Sequence, residues 1–203
     1  MNNFNPSIST TSAVSINKVL RNTYLLLSFT LLFSALTAGI SMMLHVSHVV
    51  SLVCSFGAMG LIWFVLPRTA NSSAGIGVVF AITGLLGFGL GPILNHYLSL
   101  SNGSELIATS LGGTGIIFLA LSGYVLTTKR DFSFMGGFLM VGLIIAVLAM
   151  VANIFLQIPA LSLALSSAII LIMSGFILFD TSRIINGGET NYIHATVSLY
   201  LSL

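Results

Sequence analysis

Charge is what this sequence has least of. Its 203 residues include six Lys or Arg and four Asp or Glu, 5% in all, against 56% hydrophobic residues. Soluble domains carry about a quarter charged residues, so this scarcity excludes an ordinary water-soluble fold. Cysteine is nearly missing as well. The single Cys54 excludes an internal disulfide and fits none of the multi-cysteine metal frameworks. Residues 1–17 carry no charge and lack the basic start and apolar core of a secretory signal. Rich in Asn, Ser and Thr, they read as a disordered tail ahead of the first span. No His-Glu-x-x-His, Walker loop or Ser/His/Asp set is present, so neither enzyme chemistry nor a cofactor is expected. A net charge of +2, with its bases dispersed, gives no nucleic-acid surface.

What the chain does have is length without charge. Residues 22–44, 46–67, 69–104, 106–128 and 132–179 contain no Asp, Glu, Lys or Arg, although His48 and His96 fall inside two of these runs. A bilayer core takes roughly 20 apolar residues as a helix, so each run holds at least one span. The expected fold is all-α, a polytopic membrane helix bundle. Runs this long do not suit a β-barrel, whose strands alternate over about ten residues. The spans are placed at 24–43, 49–66, 74–97, 106–126, 134–156 and 161–185, with Pro159 dividing the longest run in two. A seventh begins near Tyr192. Only about 12 residues follow, which rise some 18 Å as a helix, so this chain is expected to end within its last span. The domain reading is therefore a tail over 1–17 and a bundle over 18–203.

The bases orient the bundle. Lys18 and Arg21 precede span one, Arg68 separates two from three, Lys129 and Arg130 separate four from five, and Arg183 follows span six. A cytoplasmic amino terminus puts all six on the cytoplasmic side, as the positive-inside rule requires. Glu105, His45, His48, His96 and Gln157 then lie on the other face.

Several motifs have a plain packing explanation. Gly87 and Gly91, in Gly84-Leu-Leu-Gly-Phe-Gly-Leu-Gly-Pro92, form a small-xxx-small pair that lets helix backbones approach. Gly112, Gly113 and Gly115, and Gly136 and Gly137, are read the same way. His45 and His48 stand three apart without a nearby carboxylate, so a solvated loop is preferred over a metal site.

Asp180 is the costly residue. It ends the longest uncharged run, and a carboxylate at the edge of a membrane-length segment is a functional-site hypothesis by default. Asp180 and Arg183 lie one helical turn apart and can pair as an interfacial anchor, with Arg183 snorkelling toward water. The competing reading turns Asp180 into the bundle, where its protonation switches a packing state. The tail offers a different chemistry. An ATP-driven membrane protease must grip an unstructured cytoplasmic end, and Met1, Asn2, Asn3, Phe4 and Asn5 are candidates for that grip.

From Lys18 to its end the sequence resembles the Bax inhibitor-1 family of seven-span membrane proteins, most densely its bacterial branch. The likeness is carried by Lys18-Val-Leu-Arg-Asn-Thr-Tyr24, Gly91-Pro-Ile-Leu-Asn95, Tyr124-Val-Leu-Thr-Thr128 and Met150-Val-Ala-Asn-Ile-Phe-Leu-Gln157. It continues through Gly187-Gly-Glu-Thr-Asn-Tyr192 and Ala195-Thr-Val-Ser-Leu-Tyr200. The resemblance implies a multi-pass protein of the bacterial inner membrane that binds the FtsH protease complex and restrains its proteolysis of membrane proteins. It also implies an alternative, a pH-sensitive calcium leak in which the span-six aspartate pairs with an aspartate in span seven. Asp180 matches the first acid. Ser202 stands at the second, and Ser198 one turn earlier where some relatives carry another acid. A serine brings no second charge to hold a divalent cation, which counts against a copy of that latch.

Overall fold

The computed structural model describes residues 6–203, with side chains described from Val14 onward. Its regular elements are α1 (Pro6–Met43), α2 (His48–Gly60), a π-helical segment (Leu61–Val65), α3 (Leu66–Thr69), α4 (Ala74–Leu98), α5 (Gly103–Thr128), α6 (Met135–Leu156), α7 (Pro159–Ile185) and α8 (Tyr192–Ser202). No strand occurs among the described residues. Six stretches are long and apolar enough to cross a bilayer: Val14–Met43, His48–Thr69, Ala74–Leu98, Gly103–Thr128, Met135–Leu156 and Pro159–Ile185. All six spans expected from the charge pattern are present. The short seventh segment is α8, 11 residues long. α1 is helical from Pro6, so its first turns run through part of the segment read as a tail. Met1, Asn2, Asn3, Phe4 and Asn5 lie outside the described residues.

Local chemistry sets the breaks. Pro67 has no N–H to return to Trp63, and its ring crowds that carbonyl. The helix absorbs this as the π segment, in which the Leu66 N–H reaches the Leu61 carbonyl. Arg68 Nη1 then donates to the Phe64 carbonyl at 2.9 Å. Lys129 and Gln157 end α5 and α6 in the left-handed region, at φ 51° and 50°. Asn153 closes the α6–α7 turn. Its Oδ1 accepts from Ile158 N at 3.1 Å and its Nδ2 donates to Ser162 Oγ at 2.6 Å. Pro159 then opens α7, where a missing N–H costs nothing.

α1 and α4 run parallel in close contact. A Cβ at Gly91 would stand 2.6 Å from Ser41 Cβ, and one at Gly87 would meet Ser34 and Thr37, so these glycines let the two backbones meet. Asn95 Nδ2 ties the ends of this pair by donating to the Met42 carbonyl at 3.1 Å. Gly136 likewise seats the Phe179 ring, 2.7 Å from where a Cβ would be. The packing expected at Gly112, Gly113, Gly115 and Gly137 is not made within this chain, because a Cβ at any of them would meet nothing within 4 Å. Those glycines point away from the neighbours that α5 and α6 do have.

α8 sits at the centre. Ile193 and Val197 on one face join a core with Leu26, Ala58, Leu66 and Ile82. Ala195 and Leu199 on the opposite face join a second core with Leu27, Phe118, Ile177 and Ile184. The i, i+4 spacing of each pair makes one helix the shared wall of both cores. α6 lies at the periphery and packs chiefly on α7.

Candidate functional site

The last turn of α7 collects polar groups inside an apolar bundle. Asp180, Thr181 and Ser182 are all buried. Successive helical residues project about 100° apart, so the four from Asp180 to Arg183 face almost every direction around the axis. Each of the four engages a different element. Asp180 Oδ2 accepts from Ser202 Oγ of α8 at 3.3 Å. Thr181 Oγ1 lies 3.4 Å from the Tyr24 hydroxyl of α1 and 3.5 Å from Ser122 Oγ of α5. Ser182 Oγ accepts from Phe132 N at 2.8 Å and from Asn186 Nδ2 at 3.2 Å, and donates toward the Arg130 carbonyl at 3.3 Å. Arg183 pairs with Glu189 of the α7–α8 connection at 3.6 Å and lies 5.5 Å above the Phe179 ring. The end of α7 is thus a junction that ties α1, α5, the α5–α6 turn, α8 and its own exit loop together.

Asp180 faces the interior, so the inward orientation is the observed one. The ion pair between Asp180 and Arg183 is not formed, because Glu189 offers Arg183 a partner outside the core, where both charges keep water. Ser202 is brought to Asp180, and its hydroxyl also reaches the Ser198 carbonyl at 3.0 Å. Ser198 therefore contributes its backbone here. One carboxylate with a neutral hydroxyl partner makes a hydrogen-bonded contact. Among the described residues no group of three or more His, Cys, Asp or Glu is placed to hold a metal ion.

Two features of this end escaped the sequence reading. Ser182, fully buried, clasps the α5–α6 turn. Asn191 caps α8: its Oδ1 accepts from Ile193 N at 2.9 Å, while its Nδ2 donates to the Ala70 carbonyl at 3.0 Å and to Asn71 Oδ1 at 2.9 Å. Glu189 Oε1 completes the clasp by accepting from Asn191 N at 2.9 Å. An Asn just before an apolar run is a helix-start signal and was available for α8. Nothing in the sequence separates Ser182 from the other serines. In the α5–α6 turn, Asp131 Oδ1 accepts from Ser133 N at 2.8 Å. Hydrogen bonding from Ser133, helped by Ser182, holds the Asp131 carboxyl below the usual carboxylate range.

At the opposite end a cavity of about 380 Å³ opens between α6 and α7, lined by Met150, Asn153, Ile154, Ser162, Leu165 and Ser166. Asn153 and Ser162 are engaged in closing the α6–α7 turn and Ser166 Oγ donates to the Ser162 carbonyl at 3.0 Å, so the cavity offers packing space and little unsatisfied chemistry.

Comparison with known proteins agrees with this architecture. The family model described as inhibitor of apoptosis-promoting Bax1 matches residues 16–203. The chain is 56% identical to the modulator of FtsH protease YccA of Escherichia coli K12 over 193 residues, 95% of this chain and 87% of the relative. The corresponding protein of a second Escherichia coli strain, equally similar, is named an inner membrane protein. An uncharacterized membrane protein of Vibrio cholerae is 50% identical over 98% of this chain and 90% of its own length. With its helical bundle and a match over most of its length, the chain belongs to the Bax inhibitor-1 family.

Proposed function

We propose that this protein is a non-enzymatic regulator in the bacterial inner membrane, which binds the FtsH protease complex and modulates its degradation of membrane proteins. The observation that carries this reading is the 56% identity, across 95% of the chain, to a relative named for that activity. The fold is compatible with it. A bundle tied to α8 through the Ser202–Asp180 contact and through Thr196 on the Thr23 carbonyl resists extraction from the membrane, while an uncharged amino terminus offers a protease a place to start. In this reading the amino terminus is cytoplasmic, and Met1 to Asn5 make the first contact with the protease. Deleting residues 1–17 should leave the bundle folded and change the half-life of an FtsH-dependent membrane substrate in cells. An unchanged half-life with normal amounts of the truncated protein rejects the tail as the engaging element.

A second reading, a calcium leak gated through Asp180, draws support from the burial of Asp180 and its contact with Ser202. The charged groups nearest in effect to Asp180 are Arg183 and Glu189, which already pair with each other. One buried carboxylate and one hydroxyl supply few of the six to eight oxygen ligands that calcium takes. The regulator reading is therefore preferred.

A further inference from the structure

We propose that the α5–α6 turn binds the phosphate of an anionic phospholipid, with Lys129 and Arg130 as its ligands and the outward face of α6 as the bed for the acyl chain. The inference is independent of the protease reading and rests on four observations.

First, the two cations are adjacent, exposed and unpaired: among the described residues neither takes part in an ion pair, and the acid next to them is turned elsewhere. Asp131 spends its Oδ1 on Ser133 N and lies 3.4 Å from Ser182 Oγ, so it does not close on its neighbours. Second, the turn is held in shape. Ser182, 0% exposed, takes the Phe132 N–H and reaches the Arg130 carbonyl, and Lys129 N donates to the Val125 carbonyl at 2.8 Å in its left-handed cap. A cradle fixed beforehand loses less entropy on binding than two free side chains on a mobile loop. Third, the amino-terminal end of α6, 22 residues long, opens directly after the turn and adds its positive dipole end to the two cations. Fourth, an apolar stripe starts at the same place. Phe134, Phe138, Val141, Ile145 and Leu148 are all exposed, at helical spacings of four, three, four and three. They run for about 21 Å, more than half of a hydrocarbon core of about 30 Å.

Other cations at this end lack that combination. Arg68 is turned onto the Phe64 carbonyl and Arg183 onto Glu189 and Phe179. Lys18 and Arg21 are exposed on α1 without a clasped turn around them. Lipid is favoured over an acidic protein segment because the charges sit between the end of one membrane-length helix and the start of the next, continuous with an apolar face.

The test uses the full chain in nanodiscs of phosphatidylethanolamine and phosphatidylglycerol, with the lipids retained on release read by native mass spectrometry. Retention of phosphatidylglycerol should fall by about fivefold for each of K129Q and R130Q, following the usual worth of a juxtamembrane charge. S182A keeps both charges and should still lower retention, because the turn is no longer clasped. K18Q/R21Q should leave it unchanged. Thermal unfolding of each variant separates loss of the site from loss of the fold. Equal retention in K129Q/R130Q and the native chain overturns the proposal, as does an equal fall in K18Q/R21Q, which would mean diffuse surface charge. Displacement of the lipid by millimolar inorganic phosphate would reassign the site to a free anion. Loss of co-purifying FtsH with the lipid retained would reassign it to a protein partner.

Discussion

Asp180 is held by Ser202, a neutral group, and this decides what kind of site it can be. Two carboxylates that face each other share a proton and titrate as a pair; a carboxylate bonded to a hydroxyl titrates alone. The contact also leaves calcium without a second charged ligand. Sealed vesicles carrying the native chain are therefore expected to show no calcium flux above that of empty vesicles as pH is varied, and Asp180→Asn should make no difference. A pH-dependent flux abolished by Asp180→Asn contradicts this and favours the leak reading. Asp180 stood out in the sequence, because a charge that ends a membrane-length run contrasts with everything before it, but its inward orientation did not, since an interfacial pair with Arg183 was open to it as well. The role of Ser182, two residues on, was not. A serine hydroxyl gains its importance from the backbone of Arg130 and Phe132 opposite it, some 50 residues away in sequence.

At the scale of the helix, identical residues have opposite environments. Gly91 meets Ser41 across the α1–α4 contact, whereas Gly113 faces open space on α5. Gly91→Ala should force the two helices apart and cost about 1–3 kcal/mol, the usual penalty for overpacking a tight contact. Gly113→Ala should be neutral to stabilising by up to about 1 kcal/mol, since alanine favours helix over glycine. Thermal unfolding in detergent measures both, and equal effects would contradict the assigned packing. The six spans could be read from Pro159, from the charges and from the apolar runs, all of which act along the chain, although the extension of α1 back to Pro6 could not. Neighbour relations could not, because hydropathy reports how far a segment reaches into a bilayer and not which helix lies beside it. α8 shows the same limit. Its start near Tyr192 was evident, but its place between two cores follows from Ile193 and Val197 joining residues of α1 to α4 while Ala195 and Leu199 join residues of α1, α5 and α7.

At the scale of the molecule, the end that carries the six cations is tied across its loops. The α7 junction, the Ser182 clasp and the Asn191 cap connect the α3–α4 connection, the α5–α6 turn and the start of α8 into one surface. Removing an N-cap side chain costs typically about 1 kcal/mol, so Asn191 matters more as a tie between loops than as a large store of stability. A regulator that meets a membrane protease benefits from such a face, since its loops hold one arrangement while the bundle stays anchored in lipid. The direct test is reconstitution. FtsH and a labelled membrane substrate are placed in proteoliposomes, with the purified chain added at increasing ratio, and the half-life of the substrate is measured. Restraint of the protease predicts a half-life that lengthens with the ratio and then saturates; a half-life unchanged at every ratio contradicts it.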